Sequence, residues 1–133
     1  MSRVYLAVPI IANRNLNQAQ SLSTIIENLG HEIVSKWVAN TDPGFTITPR
    51  EVFDRDVKGI KECDVLVAEI SNPSHGVGME IMLAHMHEKK VVCLFKNGTV
   101  ISRMIRGLPG VLLIEYRSEK ELVERLKESL RKR

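Results

Sequence analysis

The segment from Glu69 to Glu80 carries the residue types best suited to chemistry. Gly76 and Gly78 lie at the predicted start of a helix, where glycines let backbone N–H groups approach an anion closely. The helix N-terminus adds a favourable field, and the hydroxyl group of Ser74 can add a donor. This pattern suits a phosphate group, and it equally suits a capped loop whose glycines serve only turn geometry. It is neither a GxGxxG motif nor a Walker P-loop, so neither of those nucleotide-binding patterns applies.

Glu80 is predicted to lie on the apolar face of that helix. The residues three and four positions away are Val77, Gly76, Leu83 and Ala84. Because such neighbours share one face of a helix, the carboxylate is expected to point toward the sheet rather than toward solvent. An inward carboxylate needs a partner or a chemical task. The nearby helix terminus favours its ionised form.

Asp56 shows the same anomaly on a different predicted helix. The residues three and four positions away are Phe53, Val52, Gly59 and Ile60. Two helices therefore each place one acid on a buried stripe, and both reach the same edge of the predicted sheet. A single inward acid is commonly a structural hydrogen-bond acceptor, whereas two favour an acid/base or nucleophile pair.

Two further polar side chains and two aromatic rings are candidates for the same site. Glu69 ends a buried strand, and it either joins the two acids or anchors backbone N–H groups of the following loop. Tyr5 lies inside the first strand, where a packing role competes with a functional one. Trp37 and Phe45 can stack on a base, or they can serve core packing and loop anchoring.

No spacing typical of a metal site occurs in the sequence. There is no HExxH pattern, and His85 and His87 are two apart on a predicted helix, so they diverge. We therefore predict no metal. Cys63 and Cys93 fit no CxxC or zinc spacing, and we expect both to be buried and reduced in an intracellular protein.

Short apolar runs that alternate with amphipathic stretches are predicted to position these residues. The runs predict five strands, at residues 4–8, 31–38, 64–70, 91–95 and 111–116. The stretches between and after them predict helices over residues 15–29, 48–62, 76–88 and 101–105, and a last helix that begins after residue 118. The run over 64–70 is nearly all apolar, which is typical of a strand buried on both faces.

Two of the predicted helices begin with a capping box. Thr48 is the expected N-cap, Pro49 fits the first helical position, and Glu51 completes the first box. Ser118 and Glu121 predict the second box. The helix that follows it carries three leucines on one face, namely Leu122, Leu126 and Leu130.

Strands separated by helices predict βαβ units and a parallel sheet covered on both faces. We expect an α/β fold, with one doubly wound domain over residues 1–133 and a five-stranded parallel sheet of the flavodoxin or Rossmann-like kind. Ligands bind such sheets outside the carboxyl ends of the strands, near the switch point. The loops after residues 8, 70 and 95 are therefore the expected location of a site.

Composition excludes several classes of protein. The chain has 133 residues and a net charge of +3, which the tail from residue 131 to 133 accounts for alone, so no nucleic-acid polymer is predicted as a partner. No apolar run approaches the ~20 residues of a transmembrane helix, so no membrane association is predicted. The apolar segment 4–11 is too short and too weakly basic for a signal peptide. We expect a cytoplasmic protein.

The residues resemble those of the nucleoside 2-deoxyribosyltransferase superfamily. The resemblance rests on Asp56, the run Asp64-Val65-Leu66-Val67-Ala68-Glu69 and the pattern Pro73-Ser74-x-Gly76-Val77-Gly78-x-Glu80. Two further segments, Cys93-Leu94-Phe95 and Ile101-Ser102-Arg103-Met104-Ile105-Arg106-Gly107, are similar to its 2'-deoxynucleoside 5'-phosphate N-hydrolase branch. The resemblance covers residues 4–107 and is strongest over 56–80.

The resemblance implies cleavage of the N-glycosidic bond of a 2'-deoxynucleoside 5'-monophosphate, without metal or cofactor. The products are the free base and 2-deoxyribose 5-phosphate. Glu80 would be the nucleophile that forms a covalent deoxyribosyl intermediate, as in retaining glycosidases. Asp56 would donate a proton to the leaving base or orient the sugar. Tyr5 would hold the nucleophile or the sugar in place.

The resemblance also implies how the phosphate group is bound. Ser74 would bind it together with backbone N–H groups near Gly76 and Gly78. Ser102 would bind the same phosphate from the neighbouring subunit of a homodimer.

Two other substrate-binding candidates come from the same resemblance. Glu69 matches the family pattern. Arg14 is the counterpart of a phosphate-facing arginine, displaced from the matching position, which Ile11 occupies.

Two other functions remain open beside the hydrolase. One is a deoxyribosyltransferase that exchanges bases between unphosphorylated deoxynucleosides. The other is a non-catalytic module that senses a phosphorylated nucleotide. Ser74, Ser102 and the basic residues Arg103 and Arg106 favour the hydrolase, because they suit a phosphate. A sensor would not need two inward acids.

Overall fold

Five parallel strands form the central sheet of this computed structural model, which describes residues 1–131. The strands are β1 (Arg3–Ala7), β2 (Glu32–Ile33), β3 (Val65–Glu69), β4 (Lys90–Lys96) and β5 (Leu112–Tyr116), and they lie in the order β2-β1-β3-β4-β5. The helices are α1 (Leu16–Asn28), α2 (Pro49–Glu62), α3 (His75–Met86), α4 (Arg103–Arg106) and α5 (Glu119–Arg131). The predicted α/β fold is confirmed. Residues 132 and 133 of the basic tail lie outside the described residues.

Different helices cover the two faces of the sheet, because successive side chains of a strand point to opposite faces. The first face packs against α1 and α5, and its core includes Leu6, Val67, Leu22 and Leu126. The second face packs against α2 and α3, and its core includes Leu66, Ala68, Ile60 and Ile81. All five residues of β3 are buried, as its apolar run predicts.

The strand order places a switch point beside β1. The chain leaves β1 through α1 to reach β2 on one side, and then returns through α2 to β3 on the other side. Connections that diverge in this way leave a crevice at the carboxyl ends of the two strands. That crevice opens between α2 and α3, which supply the two inward acids.

Sequence signals at the helix starts predict the structure closely. Both halves of the first capping box are present, since the hydroxyl of Thr48 accepts from the N–H of Glu51, whose carboxylate accepts from the N–H of Thr48. Of the second capping box, only the bond to Ser118 is present. Ser118 accepts from the N–H of Glu121 at 3.2 Å, but the Glu121 carboxylate binds the N–H of Arg117 instead.

The prediction of a strand over residues 31–38 is wrong in its length. β2 has two residues, and a 3-10 turn follows over Lys36–Ala39. The cause is Ser35, a fully buried residue whose hydroxyl accepts from the N–H of Leu6 at 2.8 Å and donates to its carbonyl at 2.9 Å. A side chain thus satisfies the backbone groups of β1 that a longer β2 would have paired, and the chain turns away.

The predicted state of the cysteines agrees with the structure, in which Cys63 and Cys93 are buried and form no disulfide. Within the 131 described residues, no helix is long and apolar enough to cross a membrane.

Candidate active site

A hydrogen bond between Tyr5 and Glu80 lies at the centre of the candidate site. Tyr5 is in the middle of β1 with 1% of its surface exposed, and its hydroxyl donates to the Glu80 carboxylate through a short contact. Desolvation by burial raises the pKa of Glu80 to about 8, and the hydrogen bond from Tyr5 opposes that rise. Burial and the negative charge of Glu80 together raise the pKa of the tyrosine. The predicted inward orientation of Glu80 is confirmed.

Asp56 reaches the same cluster from α2. Its carboxylate oxygen Oδ1 accepts from Nε of Arg55 at 3.0 Å and forms an ion pair with Nη2 at 3.0 Å, and each of the two side chains is 24% exposed. Burial raises the pKa of Asp56, whereas Arg55 and the hydroxyl of Tyr5 lower it. The negative charge of Asp56 also raises the pKa of Glu80. Asp56 therefore lies close enough to Glu80 for its charge to act on that carboxylate.

A cavity of about 230 Å³ contains both acids and opens at the carboxyl end of β1. Its polar part is formed by Arg55, Asp56, Ser74, Gly76 and Glu80. Its apolar walls include Ile10, Ile11, Trp37, Val38, Phe45 and Val52. An apolar pocket with a few converging polar groups is the usual form of a small-molecule site. Trp37 and Phe45, the two candidates for base stacking, are both among its walls.

The N-terminus of α3 forms one edge of this cavity. Ser74 is its N-cap and accepts from the N–H of Val77 at 3.3 Å. Gly78 donates its N–H to the carbonyl of Ser74, so this group already serves the helix. The N–H groups of His75 and Gly76 belong to the first turn, where helix geometry provides no acceptor. A Cβ at position 76 or 78 would meet no atom within 4 Å, so the space beside both glycines is open.

Glu69 does not join the two acids. It is 2% exposed, and its carboxylate accepts from the hydroxyl of Tyr116 and, at 2.6 Å, from the N–H of Ser71. Tyr116 belongs to the core on the face covered by α1 and α5, which is opposite to the face that carries Tyr5. The structure thus shows the anchoring contacts that were the alternative for Glu69.

Arg14 binds backbone carbonyl groups. Its Nη2 donates to Asn40 at 2.6 Å and to Val38 at 3.2 Å, and its Nη1 donates to Thr41 at 3.4 Å. These contacts tie the loop after β1 to the end of the 3-10 turn. Among the described residues, the Nε of Arg14 is the one buried side-chain nitrogen or oxygen without a hydrogen-bond partner.

Ser102 lies apart from the cavity of its own chain. It is exposed, and its hydroxyl caps α4 by accepting from the N–H of Ile105 at 3.3 Å. Its neighbours Val100 and Met104 are large, exposed apolar residues. The structure of one chain therefore does not place Ser102 beside Glu80.

A second, larger concavity of about 530 Å³ runs between α2 and α3 and shares Asp56, Gly76 and Glu80 with the first. We call it the α2–α3 groove. Its lining is mainly apolar and includes the exposed side chains Phe53, Met79 and Met86. The cavity thus continues into an apolar surface.

Sequence reasoning missed Arg55. Nothing in its own neighbourhood of the sequence distinguishes it from the exposed Arg50 of the same helix, which pairs with Asp54. Its place in the site depends on Trp37 and the loop at Pro43, which are distant in the sequence.

Among the described residues, no group of three or more His, Cys, Asp and Glu is arranged to hold a metal ion.

Comparison with known proteins identifies the class to which this fold and site belong. The family model described as nucleoside 2-deoxyribosyltransferase matches residues 4–130. The chain therefore belongs to the nucleoside 2-deoxyribosyltransferase family, and the resemblance found in the sequence is confirmed.

Individual relatives narrow that class. The chain is 38% identical over 131 residues to a Thermofilum pendens protein named "Putative 2'-deoxynucleoside 5'-phosphate N-hydrolase 1". The aligned region covers 93% of this chain and 92% of that relative. The chain is also 38% identical over 98 residues to the 5-hydroxymethyl-dUMP N-hydrolase of Tetraodon nigroviridis, covering 71% of this chain and 66% of the relative. Among solved structures, the Clostridium botulinum CMP N-glycosidase BcmB superposes with a TM-score of 0.76 at 27% identity, over 96% of this chain and 98% of the other.

Proposed function

We propose that this protein is an N-glycosidase that hydrolyses 2'-deoxynucleoside 5'-monophosphates to a free base and 2-deoxyribose 5-phosphate. Relatives named as N-hydrolases and a structural neighbour named as a CMP N-glycosidase support cleavage of an N-glycosidic bond in a nucleotide. The observation on this chain that carries the proposal is the cluster of Tyr5, Asp56 and Glu80 at one apolar-walled cavity.

The proposed reaction has two steps. In the first, a carboxylate oxygen of Glu80 bonds to the anomeric carbon while the C–N bond breaks, and the leaving base takes the electron pair and a proton from Asp56. In the second, water gives a proton to Asp56, bonds to the anomeric carbon and displaces Glu80. The hydroxyl of Tyr5 holds the nucleophile in place. A deoxyribosyl centre suits this route, because it lacks the electron-withdrawing 2'-hydroxyl group.

The phosphate group would bind at the N-terminus of α3. Two features of the backbone support this: the open space beside Gly76, and the N–H groups of His75 and Gly76, for which the helix provides no acceptor. In addition, the hydroxyl of Ser74 can donate to an anion while it accepts from the N–H of Val77. Gly78 contributes by leaving room rather than by its N–H, which is already bound to Ser74.

An assay with two arms tests the proposed activity. The protein is incubated with each of the four deoxynucleoside monophosphates and, separately, with deoxynucleosides plus acceptor bases. Free base from monophosphates alone supports the hydrolase. Base exchange without phosphate supports the transferase, and binding without turnover supports a sensor.

Substitution of the nucleophile gives a sharper test of the same proposal. Glu80→Gln should lower turnover by at least about 1,000-fold while nucleotide binding largely survives. Binding can be followed through Trp37, the one tryptophan of the chain, which lines the cavity. Glu124→Gln changes an exposed glutamate of α5 and serves as the matched control. Near-normal turnover in the Glu80 variant would exclude this residue as the nucleophile.

The protein is also proposed to act as a homodimer in which Ser102 completes the phosphate site of the neighbouring subunit. The support is the exposure of Ser102 beside Val100 and Met104, and the apolar α2–α3 groove that continues from the cavity. Large apolar side chains exposed together are typical of a protein–protein contact. Equilibrium sedimentation measures the oligomeric state directly.

Mixing two defective variants tests whether Ser102 acts across subunits. In a mixed dimer of Glu80→Gln and Ser102→Ala, one site keeps Glu80 of its own subunit and receives Ser102 from the other. Mixing should therefore restore tight binding and turnover of monophosphates in that site. If Ser102 served its own subunit, no site in the mixture would hold both residues and mixing would restore nothing.

A cytoplasmic location is part of the proposal and is supported by the two buried cysteines, which form no disulfide. Cell fractionation would test it, and recovery of the protein with a membrane or extracellular fraction would contradict it.

A further inference from the structure

Arg55 makes contacts that the reaction as proposed does not use. Among the described residues that line the cavity, it is the one with a permanent positive charge. Its Nε donates to Oδ1 of Asp56, and its Nη2 lies 3.0 Å from the same oxygen. A guanidinium group presents its donors in a fixed plane, so two contacts to one oxygen restrict the rotation of that carboxylate.

The same guanidinium group also holds the wall of the cavity. Its central carbon lies 4.2 Å from the ring centroid of Trp37, and its Nη1 donates to the carbonyl of Pro43 at 2.8 Å. Nη1 fills the space beside Gly44, since a Cβ there would lie 2.9 Å from it. Trp37 in turn meets the ring of Tyr5 edge-on, with centroids 6.0 Å apart.

We propose that Arg55 is a positioning residue that fixes the Asp56 carboxylate and joins it to the Trp37 and Pro43 wall of the cavity. The proposal rests on the proposed function only for the role given to Asp56. Tyr5 from β1 also acts on Asp56, and the charge of Asp56 in turn acts on Glu80 from α3. Burial and the negative charge of Glu80 both favour the protonated form of Asp56. Arg55 provides the opposing positive charge, which lets Asp56 release a proton to the base.

The test compares Arg55→Met with Arg50→Met. Arg50 lies on the same helix and also pairs with an aspartate, but its side chain is 81% exposed and outside the cavity. Arg55→Met should lower kcat by about 10- to 100-fold. It should move both limbs of the kcat/KM profile to higher pH, by about one unit, because the Asp56–Glu80 pair loses the positive neighbour that lowers the pKa of each acid. Arg50→Met should do neither.

Two readouts separate this proposal from the proposed function, because they need no turnover. Arg55→Met should make the emission of Trp37 more accessible to acrylamide, since the stacked cation and the Pro43 anchor are lost. In NMR titrations without substrate, the pKa of the Asp56 carboxyl should rise by about one unit. Arg55→Lys keeps the charge but not the planar fork, so it should restore the Asp56 titration and not the shielding of Trp37.

The proposal is overturned if Arg55→Met matches Arg50→Met in both the Asp56 titration and the quenching of Trp37. A wild-type protein that turns over no deoxynucleotide would instead overturn the proposed function. Urea-induced unfolding of each variant shows whether the fold is kept, and Arg55→Lys supplies the comparison if Arg55→Met does not fold.

Discussion

Replacing Glu80 by glutamine should stabilise the protein at alkaline pH. Burial raises the pKa of Glu80 from 4.5 to about 8, so the folded state binds a proton more tightly than the unfolded state does. The stabilisation associated with that proton is fully present below pH 4.5 and is lost as the pH rises through about 8. A glutamine amide is neutral at every pH and can still accept the hydrogen bond from Tyr5. The variant should therefore escape the loss.

The magnitude follows from the two pKa values. The two values differ by 3.5 pH units. Each unit of difference is worth about 1.4 kcal/mol, so the upper limit of the effect on the free energy of unfolding is roughly 5 kcal/mol. Because the Glu80 carboxylate lines a cavity that solvent enters, we expect about half of that limit, roughly 2 to 3 kcal/mol. The free energies of unfolding of the wild type and the variant should agree within about 1 kcal/mol at pH 5 and differ by this larger amount at pH 8.5.

Urea-induced unfolding followed through Trp37 fluorescence measures this difference at half-unit pH intervals. Other titrating groups, including His31, whose pKa is lowered mainly by burial, are present in both proteins and cancel in the difference. Glu124→Gln on the surface of α5 should give a curve parallel to that of the wild type. Parallel curves for wild type and Glu80→Gln from pH 5 to pH 8.5 would refute the assigned burial of this carboxylate.

Three further outcomes are expected. The kcat/KM profile should be bell-shaped, because one proton shared by Asp56 and Glu80 is needed, and should fall above about pH 8; a profile that keeps rising beyond pH 9 would contradict this pair. Tyr5→Phe removes a donor to Glu80 and should move that alkaline limb to higher pH, with stopped assays at each pH as the measurement. A Cβ introduced by Gly76→Ala meets no protein atom within 4 Å, so the substitution should stabilise α3 by about 0.5 kcal/mol while weakening monophosphate binding by about 10-fold. Calorimetry should show a smaller loss for Gly78→Ala, and equal losses would argue against an anion beside position 76.

The elements of the fold could be predicted wherever the signal lies within one segment. The capping box at Thr48 fixed the start of α2, and the apolar run of β3 indicated burial on both faces. The inward orientation of Asp56 and Glu80 followed from helical spacing, since the apolar neighbours of each acid show which face is buried.

Features that depend on contacts between distant segments could not be predicted. The length of β2 is set by a hydroxyl group of Ser35 on Leu6, 29 positions away. Glu69 ends a strand at the expected edge, but its side chain faces Tyr116 because of the alternation along β3. Arg14 and Arg55 are both cations near the crevice, and only the folded chain shows that one binds carbonyl groups and the other an acid.

The contact between Ser35 and Leu6 has a consequence for how this molecule behaves among its own copies. An outer strand with unsatisfied amide and carbonyl groups is a template for pairing with another chain, and native proteins commonly shorten or block such strands. Here β2 offers only two residues, and the serine hydroxyl occupies the next donor and acceptor of β1. This border of the sheet therefore offers few free backbone groups to which a strand of another copy could add.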